Sequence, residues 1–205
     1  MHEADAGSGL PAGSTAHKVW RSPCSAVLFG MPTLKYLNAY SLPLQDQVWA
    51  LIAGNRLGEY VQRKYPDRHQ LQSDKALYGY TLELKQRYLK NAPAIDKVRY
   101  DSKLDVEHHA LGLHTAISRV QGGKLRAKKE IRIASVFKEA APDFLRMIVV
   151  HELAHLREID HNKAFYQLCE YMQPGYHQLE FDLRLFLTWR ELRKHTEYAD
   201  EVVDE

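Results

Sequence analysis

The spacing of apolar residues in the first half of the chain predicts three helices. Apolar side chains recur with the period of an amphipathic helix over 44–52, 57–65 and 73–89. Ser73 is a suitable capping residue for the third helix, and Pro66 stops the second. The N-terminal part of the fold is therefore expected to be helical.

The pattern changes to strand-like alternation in the middle of the chain. Apolar and polar residues alternate over 97–100, 111–120 and 130–136, and Gly122-Gly123 between the last two predicts a tight turn. We therefore expect a small antiparallel sheet that contains a hairpin.

Helical periodicity returns in the last third of the chain, over 143–157, 162–172 and 176–190. Helices, then a small sheet, then further helices without regular alternation are typical of an α+β domain. We expect a single α+β domain in which the C-terminal helices follow the sheet.

The two ends of the chain differ from its body. Residues 1–30 are rich in Gly, Ala, Ser and Pro and lack periodicity, so we interpret them as a flexible leader before a domain at 31–195. Five acidic residues and no Lys or Arg follow Lys194, which indicates a solvated acidic tail at 196–205. The acidic start of the leader and its short apolar runs do not fit a signal peptide.

Composition narrows the class of protein. The 205 residues are 45% hydrophobic and 26% charged, as in a soluble globular domain. No apolar run approaches the roughly 20 residues that a membrane-spanning helix needs. Two cysteines are too few for a disulfide scaffold, so we expect a cytoplasmic protein. The formal net charge of +2 neither favours nor excludes nucleic acid as a partner, and no pattern predicts an oligomeric state.

The helix predicted over 143–157 contains the motif His-Glu-x-x-His. His151 and His155 are four residues apart, so both imidazoles leave the same face of the helix and can bind one ion. Glu152 lies at the edge of that face, where a carboxylate can take a proton from metal-bound water. The spacing predicts two metal ligands and a catalytic base.

A third histidine completes the predicted metal site. His161 follows His155 by six residues, so the chain has to turn before it, and residues 159–160 allow that turn. Asn162 is then a suitable cap for the next helix. Three imidazole ligands and one open position are typical of catalytic zinc, which lowers the pKa of its bound water to about 7.

Two other interpretations of the motif are possible, buried polar side chains without a metal and a structural zinc. The predicted helix is almost entirely apolar, and burial of its polar residues without partners costs roughly several kcal/mol, so a metal is the simpler explanation. A structural zinc needs a fourth ligand, for which Cys169 is the obvious candidate. Cys169 belongs to an apolar stripe at helical spacing, so we expect it to be a small buried hydrophobic residue instead.

A cationic segment precedes the predicted metal-binding helix. Six basic residues and one acidic residue, Glu130, fall within 119–132. Backbone amides of the glycine turn and the neighbouring cations could hold an anionic group, and nucleic acid would also fit such a patch. A solvated hairpin with charged flanks is the alternative. The residues expected to contact substrate are Arg119, Lys124, Lys128 and Arg132.

These motifs resemble the YgjP-like family of HExxH metallohydrolases, over about residues 31–190. The matching segments read DKALYGYTLELKQRYLKNAP, ALGLHTAISRVQGGKLRAKKEIRIASVF, FLRMIVVHELAHL and HNKAFYQLCEYMQPGYHQLEFDLRLFLT. The resemblance implies a zinc cofactor, with His151, His155 and His161 as its ligands and Glu152 as the catalytic base.

The resemblance also implies an activity, the hydrolysis of UTP to UMP and diphosphate, with Mg²⁺ as a candidate companion of the nucleotide. The same site would serve a metallopeptidase, which attacks a peptide carbonyl and makes no particular use of Lys124 or Lys128. A nucleic-acid-binding protein with a structural zinc ranks last, because it needs neither Glu152 nor an open coordination position.

Overall fold

A computed structural model of the chain describes residues 34–104 and 129–203, the last nine of them as backbone only. The leader predicted over 1–30, the strand predicted over 111–120 and the turn at Gly122-Gly123 lie outside these residues. The helices are α1 (Leu42–Ala53), α2 (Leu57–Lys64), α3 (Asp74–Tyr88), α4 (Pro142–Ala154), α5 (Lys163–Met172) and α6 (Tyr176–Val203), and the strands are β1 (Lys97–Asp101) and β2 (Glu130–Ala134). Short 3-10 helices cover Lys35–Leu37 and Ser135–Glu139.

The predicted helices form, and local chemistry explains where three of them begin. The Ser73 hydroxyl accepts a hydrogen bond from the backbone N–H of Ala76 at 3.2 Å and starts α3. The Asn162 side chain accepts one from the backbone N–H of Phe165 at 2.9 Å and starts α5. Pro142 lies in the first turn of α4, where its missing N–H costs no hydrogen bond.

The sheet differs from the prediction in the direction of its strands. β1 and β2 pair in parallel, from Lys97 opposite Glu130 to Asp101 opposite Ala134, so the antiparallel arrangement that we expected is wrong for this pair. Residues 102–129 separate the two strands, which leaves room for the crossover of about a dozen residues or more that a parallel pair needs. Period-2 alternation identifies a strand but contains no information about its direction.

Three elements end two or more residues from their predicted ends. α4 ends at Ala154, three residues before the predicted end at 157. β2 ends at Ala134, two residues early, because the chain continues into the 3-10 helix Ser135–Glu139. α6 extends to Val203, through most of the predicted tail at 196–205, and no Gly or Pro occurs within it to stop the helix. Like the other helices of the described ranges, α6 is not apolar enough over sufficient length to cross a membrane.

α4 lies at the centre of the fold. It packs against α3, α5, α6 and β2, and every residue from Met147 to Ala154 is buried. Each of its aliphatic side chains contributes roughly 1.5–3 kcal/mol through the apolar surface that it removes from water. The polar residues His151 and Glu152 are therefore held inside the protein on a tightly packed helix.

A buried carboxylate joins α2 to α6. Asp182 is 1% exposed and accepts hydrogen bonds from Lys64 Nζ and from the Tyr65 hydroxyl, both at 2.6 Å. Tyr60 and Gln178 donate to its other oxygen at 3.3 and 3.1 Å. Four donors satisfy a charge that would otherwise be costly to bury, and they fix the first half of α6 against the rest of the domain.

Candidate metal centre

The last turn of α4 and the loop after it bring three histidines together. His151 belongs to α4, and His155 immediately follows its last residue, Ala154. The chain then bends at residues 159–160 before His161, as the sequence predicted. His151 and His155 are 3% and 4% exposed, whereas His161 lies at the surface. The site is therefore open to solvent on the side of His161.

The three imidazoles point their Nε2 atoms at one another. Nε2 of His161 lies 3.2 Å from Nε2 of His151 and 3.1 Å from Nε2 of His155. Tetrahedral zinc, with bonds of about 2.0–2.1 Å to nitrogen, separates its ligand atoms by about 3.3 Å. The spacing of the three nitrogens thus fits a single ion.

Hydrogen bonds to the other ring nitrogens determine which nitrogens are available for a metal. Nδ1 of His155 lies 3.0 Å from the backbone oxygen of Glu158, and a carbonyl can only accept, so Nδ1 bears the proton. Nδ1 of His151 lies 2.7 Å from the Tyr176 hydroxyl. Neutral rings protonated at Nδ1 leave a lone pair on Nε2, which is the form that a metal ligand needs.

Phe165 forms the apolar side of the centre. Its ring centroid lies 5.0 Å from that of His151, 4.6 Å from that of His155 and 4.7 Å from that of His161. Phe165 itself is fully buried on α5. A hydrophobic wall on one side of three donor atoms restricts how solvent can reach the ion.

The predicted base, Glu152, is buried on α4. It is 6% exposed and follows His151 in the chain. A carboxylate held inside the protein interacts more strongly with nearby charge than one in bulk water. Its role as a proton acceptor stays a prediction.

Of the four residues that we expected to contact substrate, one, Arg132, lies within the described part of the chain. Arg132 lies on β2, and its guanidinium donates to Glu130 at 3.3 Å and to Asp101 at 3.4 Å. Arg99, opposite it on β1, donates to the same two carboxylates at 2.8 and 3.2 Å. The charge of Arg132 is thus balanced within the sheet. The other three predicted contacts, Arg119, Lys124 and Lys128, lie outside the described residues.

Cys169 is a buried thiol, as predicted. It is fully buried on α5, and burial raises the pKa of the Cys169 thiol to about 12 although a hydrogen bond with Tyr176 lowers it.

Within the described part of the chain, the group of His, Cys, Asp and Glu donors that could hold an ion consists of the three histidines alone. A set of three imidazole nitrogens suits zinc and offers nothing to Mg²⁺, which prefers oxygen ligands.

Sequence reasoning missed Tyr176, the hydrogen-bond partner of His151. Tyr176 is the first residue of α6 and is fully buried, while the next residue, His177, is exposed. Burial raises the pKa of the Tyr176 hydroxyl far above its usual range, so the hydroxyl keeps its proton. A buried tyrosine hydroxyl needs a polar partner, and this rule was the one indication that Tyr176 contacts a polar group.

Comparison with known proteins agrees with this geometry. The family model described as YgjP-like, metallopeptidase domain matches residues 48–185, a span that contains the three histidines and Glu152. A protein of Escherichia coli (strain K12) named UTP pyrophosphatase is 60% identical over 158 residues, which cover 77% of this chain and 95% of that protein. No solved structure matches the chain.

Proposed function

This chain belongs to the YgjP-like family, and we propose that it is a metal-dependent hydrolase that cleaves UTP to UMP and diphosphate. The observation that carries the proposal is the convergence of three Nε2 atoms, with His161 Nε2 3.1–3.2 Å from the other two, at the end of the helix that also holds the buried Glu152. We infer the substrate from the 60% identity to the UTP pyrophosphatase of Escherichia coli, which extends over nearly the whole length of that protein.

We propose zinc as the metal. His151, His155 and His161 would hold it through Nε2, and the hydrogen bond from Nδ1 of His155 to the Glu158 carbonyl leaves Nε2 of that ring unprotonated. Bound zinc supplies a Lewis acid and lowers the pKa of a coordinated water to about 7. The chain contributes the rigid helix, the apolar wall of Phe165 and the hydrogen bonds that orient the rings.

Glu152 would accept the proton of the attacking water. The water oxygen forms a bond to the α-phosphorus of UTP, and the bond from that phosphorus to the bridging oxygen of diphosphate breaks. The proton passes to the carboxylate of Glu152. Glu152 would then release this proton to solvent through the open side of the site. General-base catalysis of this kind contributes about 10²–10⁴-fold to a rate.

The cationic segment at 119–132 would neutralise the phosphate tail. Lys124 and Lys128 are its most suitable members, because Arg132 is already paired with Asp101 and Glu130 on the sheet. Charge built up on the phosphates during cleavage would be stabilised by fixed cations nearby. This part of the proposal rests on the charge pattern of the sequence.

A metallopeptidase is the second candidate, since the description of the matching family model contains that activity. A side-by-side assay of the purified, zinc-loaded protein on the four common nucleoside triphosphates and on an unfolded protein separates the two. The proposal expects release of UMP and diphosphate and no peptide fragments. Cleavage of the unfolded protein without turnover of UTP would replace the proposed substrate and leave the metal centre intact.

We also propose the cytoplasm as the compartment. The chain has two cysteines, of which Cys169 is a buried free thiol, so its fold makes no demand for an oxidising environment. A nucleotide substrate is also consistent with an intracellular enzyme. Cell fractionation with an antibody against the chain tests this directly.

A further inference from the structure

The hydroxyl of Tyr176 is the feature from which a further role can be inferred. Tyr176 is fully buried at the start of α6, and its oxygen lies 2.7 Å from Nδ1 of His151. The two rings are nearly parallel, with an interplanar angle of 18°. A buried hydroxyl at this distance from a ring nitrogen is a real hydrogen-bond partner, not a chance neighbour.

The available protons determine the direction of this hydrogen bond. Nε2 of His151 faces Nε2 of His161 at 3.2 Å, and a metal held there would need the lone pair of Nε2, which would place the single proton of the neutral ring on Nδ1. With a metal bound, the Tyr176 oxygen would then accept from His151.

A second set of bonds fixes the position of Tyr176. The carboxylate of Glu170 accepts hydrogen bonds from the backbone N–H groups of Gly175 at 2.7 Å and of Tyr176 at 2.9 Å. Gly175 has a φ of 75°, the left-handed conformation that glycine adopts without strain. The link between α5 and α6 is thus held in one shape, which places the tyrosine hydroxyl against His151.

His151 and His155 have different kinds of hydrogen-bond partner at Nδ1. His155 donates to the backbone oxygen of Glu158, which belongs to the main chain and cannot be removed by substitution. Nδ1 of His151 instead lies 2.7 Å from a side-chain hydroxyl 25 residues away in sequence, and that hydroxyl can be removed by substitution.

We propose that Tyr176 is a positioning residue of the metal centre, which holds His151 in the ring orientation and tautomer that bind the ion. The inference rests on the metal site of the proposed function but not on the identity of the substrate. Removal of the hydroxyl leaves Nδ1–H of His151 buried without its acceptor, so the ring loses its preferred orientation. Loss of such an outer partner typically weakens metal binding about 10–100-fold.

The test is a measurement of zinc affinity on the metal-free full-length chain, by competition with a chromophoric chelator. Tyr176→Phe keeps the ring and removes the hydroxyl, and it should raise the Kd for zinc about 10–100-fold. Tyr100→Phe is the matched control, since it removes a buried hydroxyl that donates to the backbone oxygen of Leu71 at 2.7 Å. It should leave the Kd for zinc unchanged. Equal zinc affinities of Tyr176→Phe and the unsubstituted chain would overturn the proposal, as would an equal loss in the control.

A measurement on the unsubstituted protein keeps the proposal testable if Tyr176→Phe fails to fold. Proton–nitrogen correlation spectra of the zinc-loaded chain report which ring nitrogen of His151 bears a proton. The proposal expects a slowly exchanging proton on Nδ1, and a proton on Nε2 would contradict it. Neither readout uses UTP, so a protein that binds zinc as described but does not hydrolyse UTP would overturn the proposed substrate and not the role of Tyr176.

Discussion

Nε2 of His155 lies 3.1 Å from Nε2 of His161, although α4 has ended by the first of these residues and the second is at the surface. The contact exists because the chain bends at 159–160 and brings His161 back over the end of the helix. A continuous helix would have directed the two side chains to different faces. The helix end is therefore part of the metal centre.

Replacement of His161 tests whether this contact represents metal binding. His161→Ala removes one of three ligands, so the purified protein should lose its zinc, and turnover of UTP should fall with it. His177→Ala is the control, because His177 is also exposed and lies outside the donor group. Elemental analysis of both variants checks the prediction, and a full complement of zinc in His161→Ala would refute it.

Neutralisation of the cationic segment tests the proposed substrate contacts. The double substitution Lys124→Gln, Lys128→Gln should raise the KM for UTP about tenfold or more, since a hydrogen bond to a charged group contributes about 1.5–3 kcal/mol. Lys75→Gln, at an exposed position of α3, should leave the KM unchanged. Steady-state kinetics at fixed ionic strength provides the measurement. An unchanged KM for UTP in the double variant would remove these lysines from the site.

Two glycines provide a matched test of the packing between α2 and α6. A Cβ at Gly58 would lie 2.5 Å from the indole nitrogen of Trp189, so Gly58→Ala should destabilise the fold by about 1–3 kcal/mol. At Gly79, in α3, such a Cβ would have no atom within 4 Å apart from its chain neighbours and the adjacent backbone of its own helix, so Gly79→Ala should stabilise the fold by about 0.5–1 kcal/mol. Denaturant titration of both variants measures the two free energies of unfolding. Equal effects would show that Trp189 does not pack on Gly58.

The thiol of Cys169 should be unreactive in the native protein. Burial raises the pKa of the Cys169 thiol from 9.0 to about 12, so almost no thiolate exists at pH 8. In a Cys24→Ser background, a thiol reagent at pH 8 should modify the chain only after unfolding. Because the folded pKa is raised, the stability contributed by the neutral thiol is present below pH 9 and is lost as the pH rises towards 12. Rapid labelling of the native chain would contradict this assignment.

The clustering of the three histidines could be predicted from sequence because their geometry is mostly local. The spacing of His151 and His155 determines that their side chains share a helix face, and Asn162 starts the next helix immediately after His161. These relationships involve residues within one or two turns of each other. Residue spacing and capping within these short segments were therefore sufficient to predict them.

The features that prediction missed depend on contacts between distant parts of the chain. The parallel pairing of β1 with β2 depends on how residues 102–129 connect them, which alternation does not reveal. The pairing of Arg132 with Asp101 follows from that register and was equally hidden. Tyr176 meets His151 only because α6 packs against α4, 25 residues further along the chain.

The most direct test of a metal-dependent hydrolase with Glu152 as its base is the variant Glu152→Gln, in which the amide keeps the shape of the side chain but cannot accept a proton. Zinc content and UTP turnover should be measured on the same sample, with exposed Glu59→Gln as the control. We expect full zinc content and a kcat about 10²–10⁴-fold lower than that of the control. Full turnover of UTP by zinc-loaded Glu152→Gln would contradict it.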